Sequence, residues 1–277
     1  MLTTEAVPFL RYCKKIGVDF ESTLQVGRNT VLFSSEEMGV KEGDYADPIY
    51  RFLGAKKVDS LDYSDYEQAS IVHDMNLPID GSFRESFSAV IEGGTLEHVF
   101  NYPIAIRNCM DMVKLGGHLV LMTPANNFFG HGFYQFSPDL FFSLLSEQNG
   151  FAETQIFQQD DSLRWFKIRN PKDLKRLMSV CIAKNKPSCL CVISKKIKST
   201  PEKLEVTQSF WTDFWESGQP THIVAEKKNE MAKIFVKKFY RRIRKFLGKI
   251  KAVKLIREFR QKKLEEKLFY EVIKLYS

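Results

Sequence analysis

The sequence predicts an α/β fold, a doubly wound and mostly parallel sheet with helices on both faces, extended at its carboxyl end by a basic helical tail. Two observations predict the body. Short apolar runs alternate with helix-like stretches up to about Lys198, the order of a parallel sheet flanked by helices. Within that alternation, His118-Leu119-Val120-Leu121-Met122-Thr123-Pro124 follows a Gly116-Gly117 break and reads as a central strand. A third observation predicts the tail: between Lys227 and Lys263 there are 16 Lys and Arg against two acids, a charge of +14, while the other residues sum to −7. Charge so segregated points the tail at something anionic and leaves the body to separate rules. The expected division is therefore a body over residues 1–198, a connector over 199–225 and a tail over 226–277.

The elements of the body follow in order. Thr23-Leu24-Gln25-Val26-Gly27 is the first strand, and Ser34 or Ser35 is a candidate cap for a following helix, with Glu36 and Glu37 at its positive end. Gly54 suits a helix terminus, Lys57–Asp62 a second strand and Ile71–Asp74 a short third. Phe87–Glu92 is a buried strand broken by Gly93-Gly94. A helix from Thr95 would carry Ile104, Ile106, Cys109, Met110 and Val113 inward, ending at Lys114-Leu115-Gly116-Gly117. Ser137-Pro138 opens another helix, as cap and first helical residue. Phe151–Gln158 and Ser188–Ser194 close the sheet, and the cysteines of the second alternate as side chains packed on it. In the connector, Phe210, Trp211, Phe214 and Trp215 recur at four-residue spacing and predict a short amphipathic helix.

Composition sets outer limits. With 277 residues, 44% apolar and 27% charged, the chain folds rather than remaining disordered. No apolar run reaches the roughly 18 residues of a membrane-crossing helix, and the start lacks the basic-then-apolar pattern of a secretory signal. A cytoplasmic location is the expectation. Five cysteines without CxxC or zinc-ribbon spacing read as reduced, mostly buried thiols. The spacing shows no metal set, no Ser-His-Asp arrangement and no phosphate loop.

Ser88-Ala89-Val90-Ile91-Glu92-Gly93-Gly94-Thr95-Leu96-Glu97-His98-Val99 and Met112–Pro124, a helix end followed by lysine, Gly-Gly, strand and Pro, resemble the class I S-adenosylmethionine-dependent methyltransferases. The resemblance spans about residues 20 to 197. It implies a Rossmann-like fold, S-adenosyl-L-methionine as cofactor, and a ligand lying across the carboxyl ends of the parallel strands. It places Asp62 on the ribose hydroxyls, where an acceptor-only carboxylate takes two donors. Asp74 and Met75 fall at the adenine edge, and Glu92 and Gly93 beside the methionine part. The first turn departs from the family: Gly27 stands alone where several glycines are usual. Two readings follow: a rebuilt loop in which the Arg28 and Asn29 side chains replace backbone contacts to the methionine carboxylate, with which an arginine can pair, or a fold that has lost the ligand. Each residue also has a plainer reading: an acidic surface loop for Asp62, a turn for Asp74 and Met75, a strand end for Glu92 and Gly93.

Methyl transfer needs the acceptor positioned and water removed, and an alcohol acceptor also needs a base. His98 and His131 are the candidate bases, each also readable as an ordinary helix-start or loop residue. The loop from Pro124 to Ser137 combines aromatics with Asn126, Asn127 and Tyr134, a mixture suited to a sugar ring or, alternatively, to a cover for the sheet. In the tail, Val236, Phe239, Ile243, Phe246, Ile250 and Val253 form one helical seam with basic flanks. An anionic membrane surface suits that pattern better than nucleic acid, and a helix that packs on the body or forms a coiled coil is the bland alternative. The expected function is methylation of an oxygen acceptor, a carbohydrate of surface-polysaccharide biosynthesis, by a cytoplasmic enzyme peripheral to the inner membrane face. The other class is a non-catalytic adaptor that keeps the fold.

Overall fold

The structure, a computed structural model, describes residues 2–170, 186–209, 211, 212, 215 and 270–272. The chain divides into two units, one of Met1–Phe166, Cys181–Val206 and Ile273–Ser277, the other of Lys167–Val180 and Thr207–Val272.

The first unit holds α1 (Ala6–Lys15), β1 (Ser22–Val26), α2 (Asp47–Phe52), β2 (Lys57–Asp62), β3 (Ile71–Val72), β4 (Phe87–Glu92), α3 (Tyr102–Met112), β5 (Val113–Asn126), α4 (Pro138–Leu144), β6 (Phe151–Gln159), β7 (Trp165–Ile168, running across the division) and β8 (Ser188–Lys196). The strand order is β3-β2-β1-β4-β5-β8-β6-β7. β1 to β5 pair in parallel, and β8 runs antiparallel to both β5 and β6. This is the doubly wound, mostly parallel, Rossmann-like sheet expected from the sequence.

Burial explains the central strands: every residue of β4 is buried, as only a strand covered on both faces requires. One covering layer is α1, whose Phe9 lies 5.9 Å from Phe157 and 6.5 Å from Trp165, centroid to centroid. Tyr12 adds an edge-on contact with Phe157 and donates to Gln155 Oε1 at 2.9 Å. α3 buries Ala105, Ile106, Cys109, Met110 and Met112. Among the described residues Cys13, Cys109 and Cys191 are buried free thiols and Cys189 is partly buried.

Several local expectations are corrected. No helix starts at Ser34 or Ser35. Their hydroxyls accept from Glu42 N and Met38 N instead, and a bridge between Ser35 and Val40 holds a loop, turned by Gly39 at φ +65°. From Thr95 there is only a 3-10 turn, Leu96–His98, and the α-helix waits until Tyr102. The reason is the Glu92 carboxylate, which draws the N–H groups of Gly94, Thr95 and Leu96 onto one oxygen. The helix ends at Met112, before Lys114–Gly117, which bulge within β5, where the register jumps between the Phe87–Val113 and Ala89–His118 pairs. α4 starts as expected, Ser137 Oγ accepting from Asp139 N at 3.3 Å with Pro138 in the first turn.

Of the second unit, Trp211 and Trp215 are helical and their rings stack at 6.3 Å, in keeping with the four-residue spacing. Phe210, Phe214 and the tail seam lie outside the described residues, as do all tail residues but Tyr270–Val272, a short strand. No helix among the described residues is long and apolar enough to cross a membrane.

Candidate functional site

In an open parallel sheet the ligand crevice forms where successive connections leave in opposite directions. Here that point lies between β1, whose neighbours outward are β2 and β3, and β4, which leads to β5. Val26 is level with Glu92 across it.

On the β1–β3 side, backbone groups take up most of the polar capacity. Asp62 Oδ2 accepts from Arg28 N at 2.9 Å and Oδ1 from Tyr63 N at 2.7 Å, leaving one lone-pair position on each oxygen. The Arg28 guanidinium lies 4.0 Å from the Tyr45 ring centre, donates to the carbonyls of Glu67 and Gln68, and sits 3.8 Å from Asp47. These contacts occupy the guanidinium that the sequence reading pairs with a methionine carboxylate. Gly27 adopts φ +74°, and a Cβ there would overlap the Thr95 hydroxyl, which donates to Val26 O at 3.0 Å. Asn29, buried, donates to Gly27 O. Asp74 accepts from Asn76 N and Nδ2, and these hydrogen bonds hold its carboxyl below the ordinary range. Met75 is buried, with its sulfur near Asn108.

The β4–β5 side is different. Glu92 and Glu97 are both buried, and in each the Oε2 atom has no hydrogen-bond partner among the described residues. Burial raises both above the usual carboxylate range, Glu92 further through the neighbouring Glu97 charge. The loop after β5 closes onto this point. Phe133 N and Tyr134 N both donate to Glu97 O, at 2.8 and 3.3 Å. Gly132 permits this approach, since a Cβ there would lie 2.9 Å from Glu97 O and 3.0 Å from its Cγ. As a result His98 and His131, 33 positions apart, bring their rings within 5.0 Å of each other. Their Nε2 atoms lie 3.8 and 3.5 Å from Glu97 Oε1. A cleft of about 780 Å³ opens beside them, with Gly93, Gly94, Met122 and Trp165 among its walls.

The structure thus gathers His98, His131, Glu92 and Gly93 at one end of the switch point and Gly27, Arg28 and Asp62 at the other. The substrate-loop residues spend polar groups on their own chain: Asn127 Nδ2 donates to Lys186 O, and Tyr134 OH to Phe100 O at 2.6 Å. Asn126 forms the end of β5. Phe129 and Phe133 instead stand out, 100% and 68% exposed, and Phe133 meets Phe100 edge-on at 6.1 Å. Sequence reasoning passed over Glu97, Thr95 and Gly132. The one signal for the last was the Gly130-His131-Gly132 triplet.

The residues suit a nucleoside carrying an amino-acid group in two respects. Asp62 keeps acceptor capacity for ribose hydroxyls, and the unpartnered Glu92 oxygen by the Gly93-Gly94 turn answers an ammonium.

No family model matches the chain and no curated protein does. Solved structures do. An S-adenosylmethionine-dependent methyltransferase from Archaeoglobus fulgidus is 13% identical over 70% of this chain and 95% of its own, with a TM-score of 0.41. The N-methyltransferase NodS from Bradyrhizobium japonicum is 13% identical over 69% and 93%, at 0.39. A branched-chain polyamine synthase from Thermus thermophilus, solved with N4-aminopropylspermidine and 5'-methylthioadenosine, is 10% identical over 72% and 57%, at 0.39. Similarity at this level says nothing of activity, and the fold stands on the strand order above.

Proposed function

We propose that the protein is an S-adenosylmethionine-dependent methyltransferase that methylates an oxygen of a small, hydroxyl-rich acceptor, a sugar of surface-polysaccharide assembly being the preferred class. The observation that carries this reading is the open cleft beside the switch point, with an imidazole–carboxylate cluster on its wall. The cofactor, when bound, supplies a methyl group on a sulfonium. Asp62 would accept from its ribose hydroxyls, and the Gly93-Gly94 turn with Glu92 would lie against its amino-acid end. His98 or His131 would take the acceptor's proton. Burial, then the nearby His131, lowers the pKa of His98 and keeps its imidazole neutral and able to accept. The exposed Phe100 and Phe133 faces suit a sugar ring whose hydroxyls bond at its edges.

Calorimetric titration with S-adenosylmethionine and with its demethylated product tests the reading. Binding of either is expected, and Asp62→Ala should weaken it by at least about 1 kcal/mol, the net value of one such hydrogen bond. Two observations favour the adaptor alternative: Thr95 covers Gly27, and Arg28 is tied down. Absence of heat and of thermal stabilisation with both ligands would select it. For residues 226–277 we propose attachment to an anionic membrane surface, supported by the charge of the tail and its apolar seam. Co-sedimentation with anionic liposomes should be lost on removing the residues beyond Ala225, and a gel shift with duplex DNA or RNA instead would redirect the tail to nucleic acid.

A further inference from the structure

Glu97, His98 and His131 each present one ligand atom, and the three atoms lie within 4.8 Å of one another. We propose that they form a binding site for a divalent transition-metal ion, zinc or a close relative, whose open positions face the cleft and take oxygen donors of the acceptor.

The spacing supports an ion over an ordinary hydrogen-bonded cluster. At 3.8 and 3.5 Å the two imidazole nitrogens are too far from Glu97 Oε1 for N–H···O bonds of about 2.7–3.2 Å. Four ligands at about 2.0–2.2 Å around a tetrahedral ion stand roughly 3.4 Å apart, so these two edges need close by only a few tenths of an ångström. The remaining edge, between the imidazoles, involves two side chains each 47% exposed that can turn to meet it.

A second, independent observation points to a cation. Glu97 is 1% exposed, and its Oε2 atom has no hydrogen-bond partner among the described residues. The imidazoles approach the other oxygen, Oε1, but the two oxygens share one charge, so an ion held at Oε1 offsets the cost of burying that charge. The site is also built by the backbone rather than by chance rotamers. Two N–H groups clamp the His131 loop to Glu97 O, and Gly132 leaves the room for it.

The ligand types select the ion class. Two imidazoles with one carboxylate suit zinc, iron, manganese or cobalt, whereas magnesium and calcium prefer oxygen sets. Three protein ligands leave at least one position open, and all three residues line the cleft. An acceptor hydroxyl bound there would lose its proton more readily, to water in the cleft, which is what methylation on oxygen requires. In that arrangement the imidazoles hold the ion instead of acting as bases. The metal site rests on the cluster alone. Only the role given to the acceptor rests on the methyl-transfer reading.

The full-length chain, stripped with a chelator, is titrated with Zn²⁺ by calorimetry and with Co²⁺ by visible absorption, in the absence of cofactor. Saturable binding of one equivalent is expected, with a cobalt spectrum showing nitrogen and oxygen ligation. His131→Ala, His98→Ala and Glu97→Gln should each lose at least ten-fold in affinity, while His73→Ala, outside the cluster, should not. His131 is half-exposed, so its variant carries the test even should Glu97→Gln misfold. Absence of saturable binding below about 1 mM, or equal affinity in His131→Ala, overturns the proposal. Metal binding without cofactor binding would leave the site standing and remove the methyltransferase reading. The converse would restore the two histidines as candidate bases.

Discussion

The two flanks of the switch point are made of similar residue types and behave differently. On the β1–β3 flank, Asp62 takes two backbone N–H groups and Arg28 is spent on two carbonyls and the Tyr45 ring. On the β4–β5 flank, two buried glutamates each retain an oxygen without a partner, and two imidazoles stand just beyond hydrogen-bond reach of Glu97. The first flank reads as a pre-set frame and the second as a place prepared for something else to bind. The lesson is that residue type alone does not mark a site. Buried carboxylate oxygens left without partners beside a cleft do, because burying them costs free energy that a ligand can return, whereas a lone unpartnered atom such as Arg28 Nε occurs on the other flank as well.

The largest expected effect breaks the frame. Gly27→Ala forces a side chain onto a left-handed backbone and into the Thr95 hydroxyl, and should cost about 3 kcal/mol. Thr95→Ala should recover part of that loss by opening the space, leaving only the backbone strain. Urea unfolding of the two single variants and the double variant measures the coupling. Simple additivity would show that Thr95 does not sit on Gly27.

Gly132→Ala tests the other flank and should cost less, about 1–2 kcal/mol, because the loop can shift outward where a strand end cannot. The shift would separate His131 from Glu97, so the His131 imidazole resonances should move even where stability changes little. Arg28→Lys should cost about 1 kcal/mol. It keeps the charge but loses the planar stack on Tyr45 and the paired carbonyl contacts. If Arg28 instead held a cofactor carboxylate, the substitution would weaken cofactor binding and leave unfolding unchanged.

Much of the frame was legible in the sequence because local pattern decides it. The second and fourth strands begin and end at the residues read from the sequence, and Ser137-Pro138 opens α4 by cap chemistry that needs no tertiary partner. The missing helix at Ser34 and the delayed one after Thr95 were not legible. In the first, a strand-like bridge to Val40 outcompetes the cap. In the second, one carboxylate two to four residues earlier captures the N–H groups that a helix would leave free. α1 escaped notice because its apolar face is satisfied by residues some 145 positions away, Phe157 and Gln155. The same distance effect hid the cluster: Glu97 and His98 are adjacent, but only the fold of the β5 loop brings in His131, so no spacing rule for metal ligands applied.

The smallest expected effect concerns pH, and it falls on the β4–β5 flank. His118 on β5 has its pKa lowered from 6.5 by burial first and by the charge of Lys195 second, against smaller raising effects of Glu153 and Asp19. A depressed base binds its proton less readily folded than unfolded, so acid favours the unfolded chain. The stability that His118 confers is therefore complete above its unfolded value near 6.5 and is lost as pH falls through its folded value. Glu92 and Glu97, raised by burial, act in the opposite sense over the same range, so the difference between the wild type and His118→Gln carries the test: the variant should gain on the wild type in urea midpoint as pH falls from 7.5 to 5. His98, lowered mainly by its own burial, contributes in the same sense as His118 and is untouched by the substitution. An unchanged slope in His118→Gln would mean that water reaches this imidazole in the folded state.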